Sequence, residues 1–177
     1  NIIFWGGSLQ TYNQNSFHRI MKSLEKFSGK IKMSSLNISV KINYKNLESV
    51  YYIDRKSYLN ALKKMGVLIL AIDWPDESDV SEYELSTIFP TRAVEYIALG
   101  GRILVHCPEN YFLASFFKKN NCGIVVSSRD KIDLKNAIDY LIAGSKHVLE
   151  MQNNALKVSA LFDLGRISKL FKEYVEN

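Results

Sequence analysis

The chain has 177 residues, of which 47% are hydrophobic and 23% charged, with a formal net charge of +5. A chain of this size can bury roughly 70% of the surface its unfolded form exposes, so this composition supports a packed core and excludes disordered and collagen-like classes. Two cysteines, Cys107 and Cys122, are too few for a disulfide scaffold, and the Lys and Arg residues lie in scattered pairs such as Lys63-Lys64 and Lys118-Lys119, which reads as solvated surface rather than a nucleic-acid interface.

In chain order, residues 2–5 form a strand-like run closed by the glycine turn Gly6-Gly7. A chain that opens inside a core strand predicts a domain cut from something longer. Over residues 15–27, apolar Phe17, Ile20, Met21, Leu24 and Phe27 recur at helical spacing, and Ser28-Gly29 ends that helix. Residues 36–42 alternate apolar and polar and predict a strand; residues 50–53 predict a short one. Asp54 can accept the free N–H groups at the start of a helix over 55–65. The continuous apolar run 67–72 predicts a strand buried on both faces.

Residues 73–86 read as a polar, acidic loop. A helix over 90–99, stopped by Gly100-Gly101, leads to a strand over 102–107, a helix over 109–119 and a strand over 123–126. Asp130 caps a helix over 131–143, and one or two helices follow over 146–174 with a break near Asp163. This alternation predicts an α/β fold: a Rossmann-like parallel sheet with helices on both faces and C-terminal helices appended. Such sheets take ligands at the carboxyl ends of their strands.

The segment from Ser86 to Gly101 carries the most chemistry. Pro90 suits the start of a helix, because its missing N–H has no partner to lose there. The N–H groups behind it point out of the helix start and can hold an anion. Ser86, Thr87 and Thr91 add hydroxyls. Arg92, a cation in the first turn, opposes the helix dipole unless an anion is near. Glu95, three residues on, shares its face and can accept two hydroxyl hydrogens. A helix start for phosphates beside a carboxylate for a diol suits a nucleotide or sugar nucleotide. The same residues also fit a capped helix with an Arg92–Glu95 ion pair and no ligand.

The order Pro90-Thr91-Arg92, Glu95-Tyr96, Ala98, Gly100-Gly101-Arg102-Ile103-Leu104 resembles the C-terminal, donor-binding domain of group 1, retaining-like GT-B glycosyltransferases. The preceding apolar strand, the later Gly123-Ile124-Val125-Val126 and the opening Ile3-Phe4-Trp5-Gly6-Gly7 extend the resemblance over nearly the whole chain. It implies that Glu95 takes the ribose hydroxyls, that Ser86, Thr87, Pro90 and Thr91 face the phosphates and sugar, and that Gly6 and Gly7 let the backbone approach the donor. Two positions depart from the pattern. Thr87 stands where retaining members carry a further glutamate, and Ser8 where many carry an arginine that clamps the diphosphate. Arg92 is the candidate to supply that charge, so Arg92 and Glu95 are the residues expected to carry the chemistry.

Two further residues are candidates. His106 ends a strand at the ligand edge and reads either as a group facing the donor or as a packed strand-end histidine; Trp74 reads either as a stacking surface or as a loop anchor. The acidic residues at 73–84 lack the spacing of a calcium loop, and no metal or other cofactor is expected.

The expected protein transfers a hexose-like sugar from a nucleoside-diphosphate donor to an acceptor hydroxyl. This chain would form its nucleotide-sugar domain, partnered by an N-terminal acceptor domain and inactive alone. The expected location is cytoplasmic, with peripheral contact to the inner face of a membrane. A sugar-nucleotide epimerase on the same fold and a non-enzymatic α/β interaction domain are the alternatives.

Overall fold

A computed structural model describes residues 1–34, 44 and 46–175. Among them, β1 (Ile2–Gly6), β2 (Lys30–Ser34), β3 (Leu47–Val50), β4 (Val67–Ala71), β5 (Ile103–His106) and β6 (Ile124–Val126) form a parallel sheet in the order β3-β2-β1-β4-β5-β6. The helices are α1 (Gln14–Ser23), α2 (Arg55–Leu62), α3 (Glu82–Thr87), α4 (Thr91–Ala98), α5 (Phe112–Asn120), α6 (Lys131–Ala143), α7 (Lys146–Val158) and α8 (Leu164–Val175). The predicted α/β, Rossmann-like parallel sheet with helices on both faces is the observed architecture.

The pleat sorts alternate side chains into two layers. Ile3, Trp5, Val67, Ile69 and Leu104 pack with Phe17 and Ile20 of α1 and with Leu134 and Ile138 of α6. Phe4, Leu68, Leu70, Ile103 and Val105 pack on the other face with Tyr96 and Ile97 of α4 and with Leu113 and Phe117 of α5. All of these are essentially inaccessible to solvent, and each large apolar side chain so buried stabilises the fold by about 1.5–3 kcal/mol.

Strand register places the carboxyl ends along one edge: Gly6 pairs with Ser34, Ala71 with His106, and His106 with Val126. The chain adds β2 and β3 on one side of β1, then β4, β5 and β6 on the other. The order therefore reverses between β1 and β4, and the crevice above that point is where open α/β sheets bind ligands.

Several boundaries differ from expectation. The strand predicted over 36–42 lies outside the described residues; β2 comes earlier, with Ile31 and Met33 inward and Lys30 and Lys32 outward. The strand predicted over 50–53 overlaps β3 only at Val50, the strand running from Leu47 to Val50 and residues 51–53 lying beyond its end. The helix predicted over 109–119 starts at Phe112 because a turn, Tyr111 N–H to Pro108 C=O at 3.3 Å, precedes it. The predicted loop over 73–86 holds a 3-10 turn, Pro75–Glu77, and α3, which Ser81 and Glu84 start with a reciprocal capping box. The predicted break near Asp163 is observed, a second 3-10 turn (Ser159–Phe162) separating α7 from α8.

Candidate functional site

Two helix starts, those of α1 and α4, flank the crevice above β1 and β4. The start of α1 is already occupied. Its N-cap residue Asn13 makes no side-chain cap bond. The fully buried Asp73, just past β4, supplies the acceptor instead: its carboxylate takes the N–H groups of Asn15 at 3.0 Å and Ser16 at 2.6 Å. Among the described residues, the start of α4 has no side-chain cap. Pro90 sits at its N-cap position, Ala93 N–H turns back to Pro90 C=O at 2.8 Å, and the N–H groups of Thr91 and Arg92 have no intrahelical partner by construction.

Arg92 reaches across to the end of β1. Its guanidinium donates to the Gly6 carbonyl and lies 5.9 Å from the centre of the Trp5 ring. Its Nε is buried without a partner among the described residues. This approach requires Gly7, and Gly6 is kept bare by a different neighbour. A Cβ at Gly7, which has φ +89°, would collide with the guanidinium, and one at Gly6 would stand 2.5 Å from the Tyr96 hydroxyl. Gly6, Gly7, Tyr12, Tyr58, Pro90, Thr91 and Arg92 enclose a cavity of about 200 Å³.

Glu95 does not pair with Arg92. It binds Arg55 of α2, Nη1 to Oε1 at 3.0 Å, and opens on a second cavity of about 340 Å³ at the ends of β2 and β3, lined also by Ser34, Tyr52 and Tyr58. Tyr58 belongs to both cavities and joins them. Burial, and then the neighbouring Glu95 carboxylate, push the Tyr58 phenol above its ordinary pKa, so it stays protonated and able to donate.

The other predicted residues lie elsewhere. Ser86 and Thr87 fall in the last turn of α3, where their hydroxyls donate to main-chain carbonyls: Ser86 to Tyr83 at 2.8 Å, Thr87 to Glu84 at 3.0 Å. Neither lines the two cavities. Trp74 stands further along the sheet edge, with the guanidinium carbons of Arg19 and Arg129 at 4.9 and 5.0 Å from its ring centre and the His106 ring at 4.8 Å.

His106 is fully buried and bonded through both nitrogens, Nδ1 to the Val126 carbonyl at 2.8 Å and Nε2 to Arg19 at 3.0 Å. Because Arg19 can only donate, Nε2 accepts and Nδ1 carries the hydrogen. Burial lowers its pKa from 6.5 to about 4. The acidic residues of this region are likewise engaged: Asp76 and Glu77 pair with Arg129, and Glu77 also with Arg19. Sequence reasoning missed Arg55, Tyr58 and Tyr12, whose relation to the site exists only once the sheet has formed.

No protein-family model and no curated protein matches the chain. Solved structures do. HepE of Anabaena in complex with UDP-glucose superposes with a TM-score of 0.70 at 12% identity, over 99% of this chain and 48% of HepE. Sucrose-phosphate synthase from Thermosynechococcus elongatus gives 0.68 at 15% identity, over 99% and 45%. The C-terminal domain of the group 1 glycosyl transferase LpcC from Francisella tularensis gives 0.61 at 13% identity, over 92% and 86%. The chain thus spans less than half of the two longer proteins, and it has the fold of the matched half of GT-B glycosyltransferases, which in LpcC is the C-terminal domain.

Proposed function

We propose that this chain is the donor-binding half of a glycosyltransferase, taking a nucleoside-diphosphate sugar in the crevice above β1 and β4. The observation that carries this reading is the placement of Arg92 and Glu95. They lie on successive turns of α4, at the sheet's reversal point, in two cavities joined by Tyr58. In this reading the diphosphate sits against the free N–H groups of α4 and the backbone of Gly6-Gly7. A half-buried cation whose buried Nε–H has no partner among the described residues, set in a first helical turn, is costly alone, by about 1–3 kcal/mol for the N–H; an anion beside it offsets both that cost and the opposed dipole.

With Ser8 after the glycine turn, Arg92 supplies the positive charge next to the leaving diphosphate, an electrostatic role. Glu95 accepts the ribose hydroxyls once Arg55, on its exposed arm, gives way. Acceptor groups would come from a second, N-terminal domain, and the chain alone would bind donor without turning it over. Isothermal titration with UDP, GDP and ADP tests this: one of them binds, and Glu95→Ala weakens it by about 1.5–3 kcal/mol, the value of hydrogen bonds to a charged group. Absence of binding, or equal binding by the variant, contradicts the assignment.

A further inference from the structure

Glu95 is approached by α2 through two side chains, Arg55 and Tyr58, which stand three residues apart and so on one face of that helix. They differ in character. The Arg55 side chain is 74% exposed, while that of Glu95 is only 19% exposed. Tyr58 is half-buried, its ring packed 6.2 Å from Phe4 and 5.6 Å from Tyr52. The start of α2 is itself fixed, Asp54 accepting from Ser57 N–H and Ser57 hydroxyl at 2.8 Å each. The carboxylate thus has one exposed, displaceable partner and one packed neighbour, and among the described residues the packed one is the residue common to both cavities.

We propose that Tyr58 is a positioning residue for Glu95, its hydroxyl steadying the carboxylate toward the crevice while Arg55 serves as the counter-ion that a vicinal diol displaces. The proposal rests on the reading of Glu95 as the ribose-binding carboxylate. A carboxylate held in its bound orientation beforehand loses less freedom when the diol docks, which raises affinity for ligands bearing both hydroxyls and for no others.

The test uses UDP, GDP and ADP beside their 2′-deoxy counterparts, titrated into the wild type, Tyr58→Phe and Glu95→Gln. Tyr58→Phe keeps the ring and its packing and removes only the hydroxyl. The wild type is expected to prefer a ribonucleotide over its deoxy form by about tenfold or more. Tyr58→Phe should narrow that preference several-fold, ribonucleotide affinity falling more than deoxy affinity, and Glu95→Gln should abolish it. Equal losses for both forms in Tyr58→Phe would mark a structural role and overturn the proposal. So would a preference that Tyr58→Phe retains and Glu95→Gln loses, which leaves the reading of Glu95 standing. A wild type with no ribose preference, or no binding, overturns that reading and the proposal with it.

Discussion

Gly7 and Arg92 depend on each other. The left-handed φ of +89° suits glycine, and the missing Cβ leaves room for the guanidinium that bonds Gly6. Gly7→Ala therefore meets two penalties, backbone strain and eviction of Arg92. It should lower stability by about 1–3 kcal/mol and weaken nucleoside-diphosphate binding, as read by a urea midpoint and a titration. At the same scale, His106 sets a pH dependence. Its pKa falls from 6.5 to about 4 on burial, so between those values the unfolded chain takes up a proton that the native chain refuses. Its contribution is complete above about pH 6.5 and is lost as the pH falls toward 4, by on the order of 3 kcal/mol. His106→Asn should flatten the decline of the urea midpoint across that window; an unchanged slope would assign the acid sensitivity to other groups.

The elements show which physical signals are local. Helix α6 was legible to the residue, because its Asp130 cap and the left-handed Gly144 that ends it adjoin it in sequence. The run from Val67 to Ala71 was legible too, its five residues all being buried. Helix α3 is hidden by its acidic composition, which suits a solvated loop, although Ser81-x-x-Glu84 spells a capping box. Pro90, Thr91 and Arg92 could be placed at a helix start from local chemistry. The partners of that start could not. Arg92 meets Gly6 across 86 positions, and Asp73 reaches the start of α1 across 57 to 58; both contacts need the parallel crossovers already formed. Because Asp73 is the only side chain found capping α1 among the described residues, Asp73→Ala should cost about 2 kcal/mol, visible as a lower melting temperature. A loss below a few tenths would mean that solvent replaces the carboxylate at no cost.

At the scale of the molecule, a net charge of +5 does not by itself locate the site. The amino edge of the sheet carries a hollow of about 300 Å³ with Lys63, Lys64 and Arg102 in its wall. Those cations face the C-terminal ends of α2 and α4, whose dipoles favour positive charge, and Arg102 donates to the carbonyls of Leu141 and Ile142 at the end of α6. The carboxyl edge has the opposite balance, with a helix start, a cation whose Nε has no partner among the described residues, and a carboxylate whose counter-ion is exposed. The most direct measurement is amide chemical-shift mapping of the chain titrated with UDP, GDP and ADP. The shifts are predicted to centre on Gly6, Gly7, Thr91, Arg92 and Glu95. Shifts centred on Lys63, Lys64 and Arg102, or none with any of the three, would contradict a donor site above β1 and β4.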